Sequence, residues 1–402
     1  MRRTTLALAA LLAPLSMPAG ASVAVFEQTK PSPAASDDRL DRFIPRTTDP
    51  DHRIDYSVWG NALRNLVIGF GPPQRIPARR NFANDTRWDV AGDLNGYLVG
   101  VGASSRGGHI SRIRLEGTRI AFSFFTDDVS ASLSDYRRDL ERVGSEVDIP
   151  SLSRNEQLAY WLNLHNVAVI EQIAQHYPVM SPRKIRIDGE PLDTARFIEI
   201  DGVKLSLNDI RTRIVYPNWS DPRVIYGFFR GEIGGPQIQP LEFNARNLNA
   251  LLEENAFEFI NSLRGAEKHG GSLLVSRIFD EAAPYYFADF DSDLLDHLGE
   301  FAKDDVAQEI DKTQRIKFSR YWNDIADLAR GQQVFDRRLI RTYDSESGEL
   351  VRQQVMPAHI ARYIIERRRK IEYLRRTGQR LWTIRLIPVD LPGQPATIVE
   401  VQ

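Results

Sequence analysis

The stretch of residues 153–178, SRNEQLAYWLNLHNVAVIEQIAQHYP, limits the folds open to this chain more than any other. Ser153 and Glu156 have the spacing of a capping box, which predicts that a helix starts here. Tyr177-Pro178 predicts the end of the helix, because proline cannot continue it. Apolar side chains recur at helical spacing between these points and also occupy most positions off that stripe. A helix that is apolar on nearly every side is expected to be buried on nearly every side.

Three polar residues, Asn163, His165 and Asn166, interrupt this apolar helix. Buried polar side chains need hydrogen-bond partners inside the protein, and two interpretations follow. A buried imidazole beside amides suits a general base or a site for a polar ligand. Alternatively, the asparagines only tie the helix to neighbouring loop backbone, which is the commoner role of buried amides. The sequence leaves both interpretations open.

Composition excludes several classes of function. The chain has 402 residues, 42% of them hydrophobic and 26% charged, as in ordinary soluble globular proteins, and its length predicts about two or three domains. Its formal net charge of −2 gives no electrostatic reason to expect a nucleic-acid partner. The chain has no cysteine, so thiol nucleophiles, zinc–thiolate sites and disulfides are all excluded.

Residues 1–21 have the pattern of a secretory signal peptide. Arg2 and Arg3 form a basic start, residues 6–15 an apolar middle, and Ala19-Gly20-Ala21 a small-residue cleavage site. A retained membrane anchor is the less favoured alternative, because the apolar run is shorter than the ~20 residues that a span needs. We therefore expect an exported protein, periplasmic or extracellular after cleavage near Ala21.

The remaining chain is predicted to have an α+β fold in three parts. Residues 22–50 are rich in Pro, Ser, Ala and Asp and predict a linker or disordered arm. Residues 51–330 predict a helix-rich core domain with short hairpins. Residues 331–402 contain 13 Lys and Arg against 8 Asp and Glu, and predict a small basic β-rich domain or extension.

In this C-terminal part, strand-like runs at residues 339–343, 350–355 and 382–389 surround a basic helix at residues 357–376. Arginine and lysine crowd most of that helix around one apolar side. The pattern suits contact with an anionic membrane surface. It also suits an ordinary solvated helix face, which is the commoner explanation of a charge run.

Two hairpins and a glycine-rich loop are predicted in the core domain. Asp201-Gly202 lies between two alternating runs and predicts a type I′ hairpin turn. Glu116-Gly117 predicts a second hairpin within residues 110–125. Residues 221–239 predict a buried strand or turn followed by a glycine-rich loop.

Five segments in the same order resemble the family known as domain of unknown function 547. AYWLNLHN at residues 159–166 resembles the family's helix motif A-F-W-I-N-L-Y-N. The other four segments are HYPVMSPRKI, DGVKLSLNDI, DPRVIYGFF and LLVSRIF, and together the motifs cover about residues 130–325. The resemblance implies the family's fold, but family membership alone does not determine function.

Two departures from the family pattern affect the chemistry that the resemblance implies. The family has a histidine in the strand where this chain has Tyr226, and a Cys-Pro pair where this chain has Gly235-Pro236. In the family, a cysteine and a histidine near buried asparagines invite a thiol-nucleophile mechanism. This degenerate member cannot use that mechanism, because it has no cysteine.

Charged residues bracket the glycine-rich loop: Arg223, Arg230 and Glu232. Arginines and backbone amides there suit an anion site. A structural ion pair, such as Arg230 with Glu232, is the alternative. Acidic residues at 289, 291, 293 and 300 have calcium-loop spacing, but Leu294 replaces the required glycine, so we expect no metal and no cofactor.

The sequence favours a non-catalytic cell-envelope module that binds a small molecule or an envelope protein. Its predicted ligand-binding residues are Asn163, His165, Asn166, Arg223, Arg230 and Glu232. The alternative is a cysteine-independent hydrolase or transferase that uses His165 and the loop with Arg223 and Glu232. The sequence does not indicate the ligand or the oligomeric state.

Overall fold

The central helix forms where the sequence predicts it, from Arg154 to Gln175. The structure is a computed structural model that describes residues 39–49, 51–78, 89–91, 97–101, 109–320, 322–333, 337–344 and 346–378. The Ser153 hydroxyl accepts the Glu156 N–H, as the capping pattern predicted. Every residue from 156 to 173 is buried. The prediction of a helix buried on all sides is therefore confirmed.

Helices dominate the described residues, and the predicted α+β class is confirmed. The helices are α1 Ser57–Leu66, α2 Asp127–Glu146, α3 Arg154–Gln175 (the central helix), α4 Leu207–Asp209, α5 Tyr216–Asn218, α6 Leu248–Ile260, α7 Ile278–Tyr286, α8 Phe290–Phe301, α9 Asp304–Asp311 and α10 Ala358–Arg376. A π-helical turn, Ile210–Val215, joins α4 to α5.

The strands are short and form small sheets. They are β1 Val67–Gly69, β2 Asp89–Ala91, β3 Tyr97–Val101, β4 Thr118–Ile120, β5 Arg186–Ile187, β6 Glu190–Pro191, β7 Ile198–Ile200, β8 Val203–Leu205, β9 Ala266–His269, β10 Ser272–Val275, β11 Arg315–Phe318, β12 Arg337–Asp344 and β13 Leu350–Pro357. The sheet orders are β1-β4, β11-β10-β9, β13-β12-β3-β2, β5-β6 and β7-β8. Among the described strand pairs, β10 and β11 are parallel and the others are antiparallel.

Neighbouring elements surround α3 and use its polar atoms. On one side α2 packs against it, with the Tyr160 hydroxyl donating to the Leu140 carbonyl at 2.9 Å. On another side Phe43 meets the Trp161 ring edge-on, with the centroids 5.2 Å apart. Phe43 lies in residues 39–49, so this end of the predicted linker contacts the core. The burial of α3 thus results from several separate segments.

The glycine-rich loop packs closely against both α3 and a later segment. Gly231 has φ +68°, and a β-carbon there would collide with Ile173 of α3. The Gly234 N–H donates to the Trp322 carbonyl at 2.9 Å, and the Ile233 N–H donates to the Asp324 carbonyl at 2.8 Å. Residues 231–236 are all buried as a result.

The described C-terminal residues pack onto the rest of the chain, and all described residues belong to one compact unit. Strand β12 pairs with β3, and the Arg114 guanidinium binds Glu366 of α10 at 2.9 Å. Lys370 is buried and donates to the Leu115 carbonyl at 2.6 Å. The domain boundary at residue 331 stays a prediction, although these contacts cross it.

The basic helix forms as predicted, but part of its charge faces the protein. The Arg367 guanidinium donates to the Gly69 carbonyl at 3.2 Å, and Arg362 pairs with Glu366 within the helix. Arg375 and Arg376 of the last turn are exposed. Contact of residues 357–376 with an anionic membrane surface stays a prediction. Its alternative, an ordinary solvated helix face, also stays a prediction, since the last turn is exposed whereas Arg362 and Lys370 are buried.

Of three local predictions, one is wrong, one is wrong in its strand alternative, and one is confirmed. Residues 110–125 do not form a hairpin, because β4 pairs with β1 instead of with the segment before Gly117. Of the buried strand or turn expected after Asp221, the strand is wrong: the segment is a 3₁₀ helix, Pro222–Gly227, and the Asp221 carboxylate accepts the Arg223 N–H at its start. Asp201 and Gly202 have φ of +48° and +73°, as a type I′ turn requires.

Residues 1–21 and the run at 382–389 lie outside the described residues, so the signal peptide and that strand stay predictions. Within the described ranges, no helix combines the length and apolar character needed to cross a bilayer.

The tight loop packing predicts that Gly234→Ala destabilises the fold. A β-carbon at this position would lie 2.7 Å from the Trp322 carbonyl oxygen, which is backbone and cannot rotate away. We expect a loss of about 1–3 kcal/mol in the free energy of unfolding, measured by urea denaturation.

The matched control is Gly299→Ala in α8, where a new methyl group would meet no heavy atom within 4 Å outside its own helix turn. Because alanine has a higher helix propensity than glycine, the free energy of unfolding of this variant should rise by about 0.5–1 kcal/mol. Equal stability of the Gly234→Ala variant and the wild type would show that the loop is not packed as described.

Candidate functional site

A cavity of about 500 Å³ lies between α3, the segment around the β5–β6 hairpin, and the start of α7. Exposed Arg183, Arg186 and Arg277 belong to its wall, so the cavity reaches the protein surface. Its volume is in the range of small-molecule sites. The lining residues are His165, Val169, Pro182, Arg183, Arg186, Pro191, Leu192, Asp193, Leu207, Arg211, Arg230, Glu232, Arg277, Ile278 and Glu281.

Arg211 is the most deeply buried charge in this cavity, with a side chain that is 0% exposed. The residue follows the Ser206–Asp209 capping box, which starts α4 and directs the next turn toward α3. Its guanidinium donates to Asp193 at 2.9 Å and to Glu281 at 3.0 Å. A fully buried arginine requires such partners, because an unpaired buried charge is strongly disfavoured.

Glu281 on α7 joins Arg211 to Arg230. It accepts from Arg211 through both carboxylate oxygens, at 3.0 and 3.2 Å, and from Arg230 at 2.5 and 3.2 Å. The Tyr216 hydroxyl also donates to it at 3.2 Å. Burial raises the pKa of Glu281, but the two arginines outweigh burial and hold the pKa well below its usual range. Glu281 therefore carries a charge at neutral pH.

His165 is buried against this arginine pair. Its Nδ1 lies 3.2 Å from the Asn166 side-chain oxygen, and its Nε2 lies 3.0 Å from Nη1 of Arg211. Burial lowers the pKa of His165 well below its usual range, and the charges of Arg211 and Arg230 lower it further. The imidazole is therefore neutral, and its Nε2 lone pair accepts a hydrogen bond from Arg211.

The structure brings together three of the six predicted site residues: His165, Arg230 and Glu232 line the cavity. Arg223 does not, and it pairs with Asp221 at 2.6 Å. The suggested Arg230–Glu232 ion pair is wrong, since Glu232 pairs with Arg183 at 2.6 Å and Arg230 with Glu281.

Asn163 and Asn166, the two predicted site asparagines of α3, both bind loop backbone. Asn163 donates to the Phe243 carbonyl at 2.7 Å and accepts the Phe243 N–H at 3.1 Å. Asn166 donates to the Gly227 carbonyl at 3.0 Å and accepts the Phe229 N–H at 2.9 Å. Neither asparagine lines the cavity. Their direct contacts are those of side chains that tie the helix to neighbouring loop backbone.

Sequence reasoning missed Arg211, Asp193 and Glu281. The partners in this cluster are far apart in the chain, with a separation of 70 residues from Arg211 to Glu281. No local motif marks such a pair. The position of Arg211 just after a capping box was visible, but a capping box predicts a helix start and not a binding residue.

In the part of the chain that the structure describes, no group of three His, Asp or Glu side chains is placed to hold a metal ion. Three of the acids considered for a calcium loop lie at the start of α8, with Asp289 at the N-cap and Asp291 and Asp293 in the first turn, while Glu300 lies at its end. Negative charge at that position stabilises the helix through its dipole.

Residues 149–260 match the model of a family described as a protein of unknown function, DUF547. This match confirms the resemblance, over a shorter range than the motifs suggested. The DUF547 segment contains α3, Arg211 and the glycine-rich loop, but it ends before Glu281. A search of curated proteins found no match, and a search of solved structures found none either.

The departures from the DUF547 pattern lie at buried positions. Tyr226 and the preceding Ile225, in the segment where the family pattern has its histidine, are both buried. The Gly235 carbonyl accepts from the buried Arg264 at 2.8 Å. The position of the family cysteine is thus held inside the packed loop.

The ion-pair cluster predicts that Glu281→Gln is strongly destabilising. This change leaves Arg211 and Arg230 without their shared counter-ion, and we expect a loss of about 3 kcal/mol at pH 7 by urea denaturation. The control is Asp280→Asn, which breaks an exposed pair with Arg277 and should cost less than about 1 kcal/mol.

Glu281→Gln should also change how the free energy of unfolding depends on pH. A carboxylate whose pKa is depressed in the folded state contributes stability above its unfolded-state pKa and loses it as pH falls through the folded-state pKa. The wild type should therefore lose more stability between pH 7 and strongly acidic solution than Glu281→Gln. Parallel pH profiles of the two proteins would contradict the charge assignment.

Proposed function

We propose that this chain is an exported, non-catalytic module that binds a small molecule carrying a carboxylate or phosphate group in the cavity beside His165. The observation that supports the proposal most strongly is the charge of the wall, which contains five arginines and three carboxylates. Guanidinium groups bind carboxylates and phosphates through charge-assisted hydrogen bonds.

The excess positive charge lies at the mouth of the cavity. Inside, Glu281 and Asp193 compensate Arg211 and Arg230. At the surface, Arg183 is compensated by the buried Glu232. Arg186 donates only to the carbonyls of residues 183 and 185 among its described contacts, and these carry no net charge. Arg277 meets Asp280 at 3.6 Å in an exposed pair that solvent screens. An anion is therefore attracted to Arg186 and Arg277.

The rest of the wall is apolar and suits the body of such a ligand. Val169, Leu192, Leu207 and Ile278 contribute aliphatic surface next to the charged groups. Ligand sites commonly combine apolar walls with a few orienting polar groups. The proposed ligand class is an organic anion with an apolar part, and not a bare inorganic ion.

Three features favour binding over hydrolysis or group transfer. The Nε2 lone pair of His165, which a general base would use, already accepts from Arg211. Arg223 of the alternative mechanism lies outside the cavity. The loop at Gly235, where the family has its cysteine, is buried beneath residues 322–324.

The export part of the proposal is supported only by the signal-like pattern of residues 1–21. A cell-envelope location would bring the cavity into contact with molecules outside the cytoplasm. An envelope protein remains the second type of partner proposed from the sequence. Neither affects the cavity experiment below, which needs only the purified chain.

The proposal predicts that organic anions raise the melting temperature of the protein through the cavity. Acetate, hexanoate and phenyl phosphate serve as probes, each compared with chloride at equal ionic strength to separate binding from screening. A ligand that binds only the folded state stabilises it in proportion to the logarithm of its concentration. We expect hexanoate and phenyl phosphate to exceed acetate, because their apolar parts contact the aliphatic wall.

Arg186→Gln and Arg277→Gln should each reduce the shift by removing the charge at the mouth. The matched control is Arg223→Gln, a partly exposed arginine that lies outside the cavity, so this variant should bind as the wild type does. Equal shifts in all four proteins would place any anion site elsewhere. No shift beyond that of chloride in the wild type would refute the proposal.

A further inference from the structure

The amide of Asn166 has a defined orientation. Its nitrogen donates to the Gly227 carbonyl at 3.0 Å, and its oxygen accepts the Phe229 N–H at 2.9 Å. Rotating the amide by half a turn would place donor against donor and acceptor against acceptor. The atom that faces Nδ1 of His165 at 3.2 Å is therefore the oxygen, which can only accept.

This orientation determines the tautomer of His165. An unprotonated Nδ1 would place two acceptors against each other, so Nδ1 of His165 carries the proton and donates to the Asn166 oxygen. In a neutral imidazole the other nitrogen, Nε2, is then an acceptor. Arg211 has only donors, so the 3.0 Å contact between its Nη1 and Nε2 is satisfied by this tautomer alone. With this tautomer, each contact from Asn166 through His165 to Arg211 pairs one donor with one acceptor.

We propose that Asn166 is a positioning residue of the anion site, acting through His165 to hold the Arg211 guanidinium in the cavity wall. This inference rests on the proposed function, because it assigns Asn166 a role in ligand affinity. Asn166 does not line the cavity, whereas His165 and Arg211 both do. Its influence therefore reaches the cavity wall through two successive hydrogen bonds, and Arg211 passes it on to Asp193 and Glu281, which line the same cavity.

Loss of the Asn166 oxygen removes the acceptor that selects the tautomer. Without that oxygen the Nδ1–H of His165 is a buried donor with no acceptor, and the ring escapes this penalty by moving its proton to Nε2. An Nε2–H group would face the Arg211 N–H groups, which is a donor–donor contact in a buried site. Arg211 would leave its position, and the network with Asp193 and Glu281 would rearrange with it.

Asn163 provides a close internal control for this role. It lies on the same helix, is equally buried, and binds the Phe243 N–H and carbonyl just as Asn166 binds Gly227 and Phe229. It has no contact with the imidazole among its described hydrogen bonds. A purely structural contribution of a buried asparagine should therefore appear equally in Asn163→Ala and Asn166→Ala.

The test compares these two variants with the wild type in two measurements. Calorimetric titration with phenyl phosphate should show about tenfold weaker binding for Asn166→Ala, the size expected for disturbing one hydrogen bond to a charged group. Asn163→Ala should bind as the wild type does, although both variants lose stability. Nitrogen-15 NMR, with the His165 signals assigned from a His165→Gln variant, should show protonated Nδ1 in the wild type and in Asn163→Ala only.

Each outcome separates this inference from the proposed function. Anion binding by the wild type with equal affinities in both alanine variants would overturn the positioning role and leave the function standing. A wild-type His165 that is protonated at Nε2 would overturn the inference without any variant, even if Asn166→Ala does not fold. A wild type that binds no organic anion would refute the proposed function, and the positioning role with it.

Discussion

The structure depends on the burial of α3 on all sides. A helix in this environment cannot expose its polar side chains to water, so each must find a hydrogen-bond partner inside the protein. Asn163 binds the segment before α6, Asn166 binds the turn that leads to the glycine-rich loop, and His165 meets Arg211. The loops around the helix are therefore ordered by hydrogen bonds that the core requires.

The same requirement explains why charge accumulates beside the helix. Once Arg211 is buried against His165, it needs negative partners, and Glu281 and Asp193 supply them from two different elements. Arg230 shares Glu281, while Glu232 belongs to a separate pair with Arg183. The compensated interior and the uncompensated mouth at Arg186 and Arg277 together define which ligand the cavity suits.

Local patterns predicted the local structure well. The capping residue Ser153, the proline at 178 and the apolar run between them placed α3, and Asp201-Gly202 placed a type I′ turn. The hairpin expected at Glu116-Gly117 failed, because β4 found a more distant partner in β1. Strand pairing depends on which segment the fold brings alongside, and the alternation of residues within one run does not contain that information.

The sequence by itself determined that α3 is buried, that its asparagines and histidine need internal partners, and that no thiol chemistry operates. These follow from residue type and spacing alone. Only the tertiary structure decided that Arg211, Glu281 and Asp193 meet His165, and that Arg223 does not. The reason is physical: ion pairs and cavity walls form between side chains from distant segments, and their geometry is set by how the helices pack, which no single stretch of sequence specifies.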